Sequence, residues 1–534
     1  MAVATAQKIF GAFFTSERVA TYLIRWSIKN PEARVLDPSC GDGVFLSLAK
    51  ERLESLGKTD PKVFGVDLDP RNVEIAKGLS PHFDVTESDF FAIRPQSLGQ
   101  FDAVVGNPPF IRYQTFSGSA RIRALQSAQR AGVLLPQLTS SWAPFLIHAS
   151  EFVKPGGKLA MVVPAELGHA RYSREVLRYL AKSFRRIRIC VFKQKLFPTL
   201  SEDTYLLLAE GRGDSCSWFS ICPFETIDDA FHDRTVERPI DYSSIETGRL
   251  RISHYLLSTR ALQLYQSLQE SNHVLRFGEA ADVGIGYVTG ANDFFHLSER
   301  EITDLRVPKK FLLRAVVSLA AHRGVAVEDR DWLEWKRESK KVYLLRLGPI
   351  RESHLLKTLR DYIALGRKSG IANRFKCRVR EPWYSVPHIR VADAFLTYMS
   401  GGGPRLVYNR GKFVAPNTLH LVRFLEPPKA GQVVSAWYSS LTRLSTEMEG
   451  HALGGGMLKL EPSEAENLIT PIAPRDRWRK LLGSVDKTLR DGCSEEAREI
   501  TDALVLRQGI GLSATECVLL AESASQLEKW RMHK

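Results

Sequence analysis

Cysteine is scarce in this chain, and what there is does not cluster. Cys40, Cys190, Cys216, Cys222, Cys377, Cys493 and Cys517 are scattered through 534 residues, with no Cys-x-x-Cys pair. A thiolate zinc site needs short ligand spacings and a disulfide scaffold needs density, so neither is expected. No metal is expected, and the isolated thiols suit a reducing compartment. No run of 18 apolar residues exists, so no membrane-spanning helix and no membrane partner are expected. The opening MAVATAQKIFGAFF holds one lysine and a short apolar patch without a cleavage site, and does not read as a signal peptide. With 44% hydrophobic and 25% charged residues the composition is that of a folded protein, which excludes disordered and fibrous classes. The length exceeds what one core usually supports, so at least two domains are expected.

Acid is also in short supply. Sixty Asp and Glu face 74 Lys and Arg, a net charge of +14. The excess is concentrated. Residues 171–195 hold nine Lys and Arg against the single acid Glu175, and residues 301–412 hold 24 against 11. Clustered cations suggest a polyanionic partner.

What is present in the first 210 residues is alternation. Ala33–Asp37, Lys62–Asp67, Phe101–Asn107, Lys158–Pro164, Arg186–Phe192 and Tyr205–Ala209 are apolar runs that predict strands. Val44–Leu56 and Pro70–Lys77 have helical spacing. Strands alternating with helices imply a mostly parallel, doubly wound sheet, which binds ligands at the carboxyl ends of its strands.

The residues in those places carry chemistry. Asp37-Pro38-Ser39-Cys40-Gly41-Asp42-Gly43 is a loop with two carboxylates. They repel a pyrophosphate and favour a ligand bearing an ammonium or sulfonium group. Asp67 closes the second strand, where acids commonly accept hydrogen bonds from ribose hydroxyls. Asp89-Phe90-Phe91 follows. A single Asp at a strand end is often only a helix N-cap, but several such loops in order are not explained that way. In Asn107-Pro108-Pro109-Phe110 two prolines remove two donors. What remains is the Asn107 amide oxygen and the Pro108 carbonyl beside an aromatic ring. Acceptors under a ring suit a planar base with an exocyclic amine.

This order of motifs resembles the gamma class of S-adenosylmethionine-dependent DNA adenine-N6 methyltransferases, most closely the TaqI-like branch. The similar segments are Phe14–Ala20, Asp37–Leu46, Val66–Asp69, Ser88–Phe91, Asn107–Phe110, Phe145–Pro164 and Leu196–Pro198, within residues 8–210. The resemblance implies a Rossmann-like class I methyltransferase domain, with a seven-stranded mixed sheet flanked by helices, over residues 1–245. An α+β target-recognition domain over 246–475 and a helical extension over 476–534 are expected to follow. It implies that Thr15, Asp37, Pro38 and the Gly41 region hold the methionine portion of S-adenosylmethionine. Asp67 would hold the ribose and Asp89 the cofactor's adenine amine, with Phe90 against its ring and Phe145 nearby. Asn107 and Pro108 would accept from the target amine, Pro109 would stiffen the turn, and Phe110 and Phe197 would sandwich the flipped base.

The expected partner is double-stranded DNA. A cognate restriction endonuclease could act separately on the same site, and the chain is expected to be a monomer in the bacterial cytoplasm, near the nucleoid. In the second half, the glycine-rich Val283–Phe295 resembles the opening of the family's recognition domain. Arg374, Lys376, Arg378 and Arg380 alternate at period two, which predicts one basic face of an extended, DNA-binding segment. Gly401–Gly403 and His451–Leu460 read as loops. Glu334-Trp-Lys336 matches half of a nuclease motif without its Pro-Asp partner, so no nuclease is expected. The competing readings are a cytosine-N4 DNA methyltransferase, a protein or RNA methyltransferase, and a silent DNA-binding subunit.

Overall fold

The computed structural model describes residues 15–168, 170–198, 203–243, 252–453 and 456–532. They divide into two compact units that meet in sequence at Leu257 and Ser258, with the short segments 453–456 and 529–534 falling in the first.

The first unit is built on one sheet. Its strands are β1 (Val35–Asp37), β2 (Val63–Asp67), β3 (Phe83–Glu87), β4 (Phe101–Gly106), β5 (Val153–Pro164), β6 (Phe184–Phe192), β7 (Thr204–Arg212), β8 (Trp218–Phe224) and β9 (Arg238–Asp241). The order is β3-β2-β1-β4-β5-β7-β6-β8-β9. The first five are mutually parallel, while β7 runs antiparallel between β5 and β6. The expected seven strands are therefore present, and β8 and β9 extend the sheet to nine. β1 and most of β4 are buried throughout, as continuous apolar runs must be when both faces of a sheet are covered.

The helix α1 (Glu17–Ser27) buries Val19, Ala20, Leu23 and Ile24, and α2 (Val44–Ser55) buries Phe45, Leu46, Ala49 and Leu53. These side chains share a core with Val35, Val63, Ala103, Ala160 and Leu206 of the sheet. Strand order reverses direction between β1 and β4. In open α/β sheets the crevice at that point is the ligand site.

Four of the nine cations in the basic stretch 171–195 pair with acids. Arg188 pairs with Asp233 at 2.7 Å and Glu237 at 3.0 Å, and Arg186 pairs with Glu237 at 2.8 Å. Lys193 pairs with Glu225 at 2.9 Å and Arg178 with Glu175 at 2.7 Å. Asp233, Glu237 and Glu225 come from far along the chain, while Arg171, Lys182 and Arg185 stay exposed.

The second unit holds a five-stranded sheet. Its order is Ala281–Ile285, His420–Phe424, Ala394–Leu396, Leu406–Asn409 and Ala326–Val327. The helices Trp478–Arg490 and Ser494–Thr501 contribute Leu481, Leu482, Val485 and Ala497 to the same apolar core as Ala394, Leu396 and Val422. These two helices of the expected 476–534 extension thus pack into this unit. His451–Leu453 and Met457–Lys459 are short strands rather than loop, and Gly454 and Gly455 lie outside the described residues. No helix among the described residues is long and apolar enough to cross a membrane.

Candidate active site

Asp37 ends β1, Asp67 ends β2, Asp89 follows β3 and Asn107 follows β4, so the four loops open at one edge of the sheet. Asp37 is 1% exposed. Its Oδ1 accepts from the Ser39 N–H at 3.0 Å, while Oδ2 is buried without a protein partner. Burial is the main reason its pKa is pushed up to about 8; the nearby carboxylates of Asp67 and Asp42 add to the rise against the Ser39 bond. A buried carboxyl with a vacant oxygen is a prepared seat for a cation. Gly106 leaves room for it: a Cβ there would lie 2.7 Å from Asp37 Oδ1.

The loop after β1 is left-handed at Gly41 (φ +53°) and Gly43 (φ +92°). A Cβ on Gly41 would meet no protein atom within 4 Å, so the space beside it is open. Asp67 Oδ2 accepts from the Gly41 N–H at 2.8 Å, and Oδ1 accepts from Asp69 N at 2.9 Å and Asn72 Nδ2 at 3.1 Å. Asp67 therefore locks the loop as well as standing at the strand end. Asp69 caps the helix Pro70–Leu79 through Arg71 N and is a structural acid. Pro38 sits between Asp37 and this loop, fixing its entry.

Asp89 is more engaged than its expected role requires. Oδ1 accepts from Phe91 N at 3.1 Å and Oδ2 takes Arg123 Nε at 2.7 Å. Phe90 turns inward, 5% exposed, with Phe145 at 5.1 Å, His148 at 4.7 Å and Phe152 at 4.9 Å between ring centroids. Phe145 is buried in that same aromatic group. Phe91 is half-buried at the edge of the same group, with Phe145 and His148 each at 5.8 Å.

Asn107 lies at the centre. Its Nδ2 donates to Thr15 Oγ1 at 3.1 Å, and its Oδ1 is buried with no protein donor. Ser39 Oγ donates to the Asn107 backbone carbonyl at 3.3 Å, joining the loops that follow β1 and β4. Pro108 is buried and Pro109 half-buried. Ser141 clamps the far side of the turn: its Oγ donates to the Pro109 carbonyl and accepts from Ile111 N at 2.8 Å. No spacing rule ties residue 141 to residue 109, so sequence reasoning passed over it. Phe110 packs, half-buried, against the core cluster that includes Phe197, which is 4% exposed. Phe14 lies outside the described residues.

The expected basic face is not an extended segment. Phe375–Arg378 is a helical turn. Arg380 donates to the Thr289 carbonyl at 2.8 Å and to that of Val288, so it is an internal brace. Arg374 reaches the Gly290 carbonyl at 3.5 Å, and Lys376 and Arg378 point to solvent. Among the described residues no group of three His, Cys, Asp or Glu side chains is placed to hold a metal ion.

The vacant oxygens of Asp37 and Asn107, the open side of Gly41 and the ring of Phe110 fit a cationic methyl donor beside a planar amine. Comparison with known proteins agrees. The N-6 DNA Methylase family matches residues 1–191, and the family described as Type II methyltransferase M.Eco57I, C-terminal domain, matches residues 250–506. The Type II methyltransferase M.AccI of Acinetobacter calcoaceticus is 20% identical over 86% of this chain and 84% of its own. M.HindII of Haemophilus influenzae is 23% identical over 56% of this chain and 57% of its own. Among solved structures, the Type IIL restriction-modification enzyme MmeI, determined in complex with DNA, shares the fold. It has a TM-score of 0.58 at 12% identity, covering 96% of this chain and 75% of that one. The matches place DNA-methyltransferase families over both parts of the chain, and the first unit has the class I methyltransferase fold, whose methyl donor is S-adenosylmethionine.

Proposed function

We propose that the protein transfers a methyl group to N6 of an adenine flipped out of duplex DNA at a specific site. The observation that carries this reading is the Asn107 amide oxygen, buried and without a protein donor, on the turn that ends in the half-buried Phe110. An amine in a paired base faces its partner strand, so the base must leave the stack, at a cost of a few kcal/mol. Phe110 offers a face for the extruded ring, and Phe197 stiffens the cluster behind it. Asn107 Oδ1 and the Pro108 carbonyl accept from the two N6 hydrogens. Those bonds favour a pyramidal nitrogen and stabilise the positive charge that grows on it. S-adenosylmethionine supplies a methyl group already activated by its sulfonium charge. Asp37 and the Gly41 loop would hold the cationic part of that donor, Asp67 its ribose, and the Asp89-Phe90-Phe91 turn its adenine. Bringing donor and amine into line supplies much of the rate. No covalent enzyme intermediate is needed, and the amine's proton leaves to solvent after transfer.

Arg374, Lys376 and Arg378 are assigned to DNA, with Arg380 bracing them. The role we read for it is protection of host DNA from a separate endonuclease, by a monomer acting on the same site. The test is transfer of radiolabelled methyl to duplex DNA, followed by digestion to nucleosides. N6-methyladenine is expected, and its loss in Asn107→Ala. Label in N4-methylcytosine moves the target base, and label in protein or RNA alone overturns the reading.

A further inference from the structure

Phe375 is 62% exposed, and what sets it apart from a lone surface ring is its company. It sits on the turn Phe375–Arg378, and two cations lie over its ring: Lys376 Nζ at 5.4 Å and the Arg378 guanidinium at 5.5 Å from the centroid. Val379, 64% exposed, extends the apolar tip. From Arg367 to Arg380 the chain carries six Lys and Arg and no acid. Among the described residues no carboxylate pairs with Lys376 or Arg378, although Arg367 pairs with Glu352 at 2.6 Å.

This tip is held rigidly from behind. Cys377 is fully buried with its thiol against the Thr289 carbonyl, and Arg380 bridges the carbonyls of Val288 and Thr289. Gly290 is left-handed (φ +81°), and a Cβ on it would come within 2.9 Å of Lys376 Cβ. The turn therefore presses directly on the glycine-rich strand-to-helix connection. A stiff base that projects an aromatic ring between cations matches one kind of partner best: a polyanion with stackable faces. Cations meet its phosphates, and an apolar ring wedges against a base step that it partly unstacks.

We propose that Phe375 is a DNA-contacting residue whose ring packs against the bases of the bound duplex, while Lys376 and Arg378 lie on the flanking phosphates. The proposal rests on the reading of DNA as substrate. It adds an apolar contact to what charge alone indicates, and it moves Arg380 from the interface to its support.

The experiment uses the full chain and a duplex fragment that the wild type methylates. Phe375→Ala should weaken binding about tenfold or more, with the same salt slope as wild type, because no charge is lost. Phe375→Trp should restore affinity. Lys376→Ala and Arg378→Ala should each flatten the salt slope by about 0.9. A benzophenone amino acid at position 375 should crosslink to DNA, and the same group at the exposed Val518 should not. Wild-type affinity in Phe375→Ala together with no crosslink at 375 overturns the inference while the proposed function stands. A wild type that methylates no DNA removes both. Thermal melting of Phe375→Ala should match wild type, since the ring is largely outside the core.

Discussion

The Asn107 side-chain nitrogen donates to Thr15 Oγ1 at 3.1 Å, and this one bond decides which edge of the amide is left over. With Nδ2 held, Oδ1 faces away as a buried acceptor with no protein partner. Thr15 precedes the first helix and Asn107 follows the fourth strand, so the orientation of the amide depends on two distant parts of the chain.

Replacing Asn107 with Ala should lower kcat by about 10²–10³ and leave cofactor affinity nearly unchanged. Thr15→Val, which keeps the shape but not the acceptor, should cost about tenfold to a hundredfold in kcat through misorientation of the amide. Thr15→Ser should recover most of it. Steady-state rates at saturating cofactor and DNA check this, and a Thr15→Ser variant as slow as Thr15→Val would refute the positioning role.

Asp37 gives a prediction in protons. Its pKa, raised to about 8 mainly by burial, leaves the carboxyl largely neutral at pH 7 in the free protein. A bound cation favours the ionised form, so cofactor binding at pH 7 should release close to one proton. Calorimetry in buffers of different ionisation enthalpy measures this, and Asp37→Asn should abolish the release and weaken binding. The stability consequence has the opposite sense from a salt-bridged acid. The unfolded carboxyl ionises near pH 4 while the folded one holds its proton to about 8. Its contribution therefore disfavours the folded state increasingly as pH rises through that window, and Asp37→Asn should flatten the trend.

Gly106→Ala tests the close approach beneath that carboxyl. The new Cβ would sit 2.7 Å from Asp37 Oδ1 in a fully buried strand. A loss of about 1–3 kcal/mol of stability is expected, read as a lower denaturant midpoint, with cofactor binding weakened further than stability alone explains.

Arg380 and Arg378 stand two residues apart and should behave differently. Arg380→Ala removes donors from the Val288 and Thr289 carbonyls and should destabilise the protein by about 1–2 kcal/mol. Arg378→Ala should leave thermal melting unchanged and alter only DNA binding. Equal melting temperatures for the two variants would contradict the brace assigned to Arg380.

The strand-end loops were legible because their chemistry is local: an acid, a glycine or an Asn-Pro-Pro turn directly follows an apolar run. The largely parallel, doubly wound character of the sheet followed from the same alternation, but its strand order did not. What was not legible depends on contacts across the chain. Whether Phe90 or Phe91 faces the core is set by a short helical turn packing on Phe145 and His148. The period-two pattern at Arg374–Arg380 looks extended, but Cys377 is drawn into the core against Thr289 and the backbone coils to allow it. The cations at Arg186 and Arg188 looked free because Asp233 and Glu237 arrive only with the extra strands of the sheet.

The hydrogen bond from Ser39 Oγ to the Asn107 carbonyl has a thermodynamic reading. In the proposed function, Ser39 lies in the loop that would hold the methyl donor, and Asn107 in the loop that would hold the acceptor base. A displacement of either loop as it fills is felt by the other. By linkage, the factor by which donor occupancy changes affinity for the site in DNA equals the factor by which that site changes affinity for the donor. Weakening this contact, as in Ser39→Ala, shifts both factors together and by the same amount.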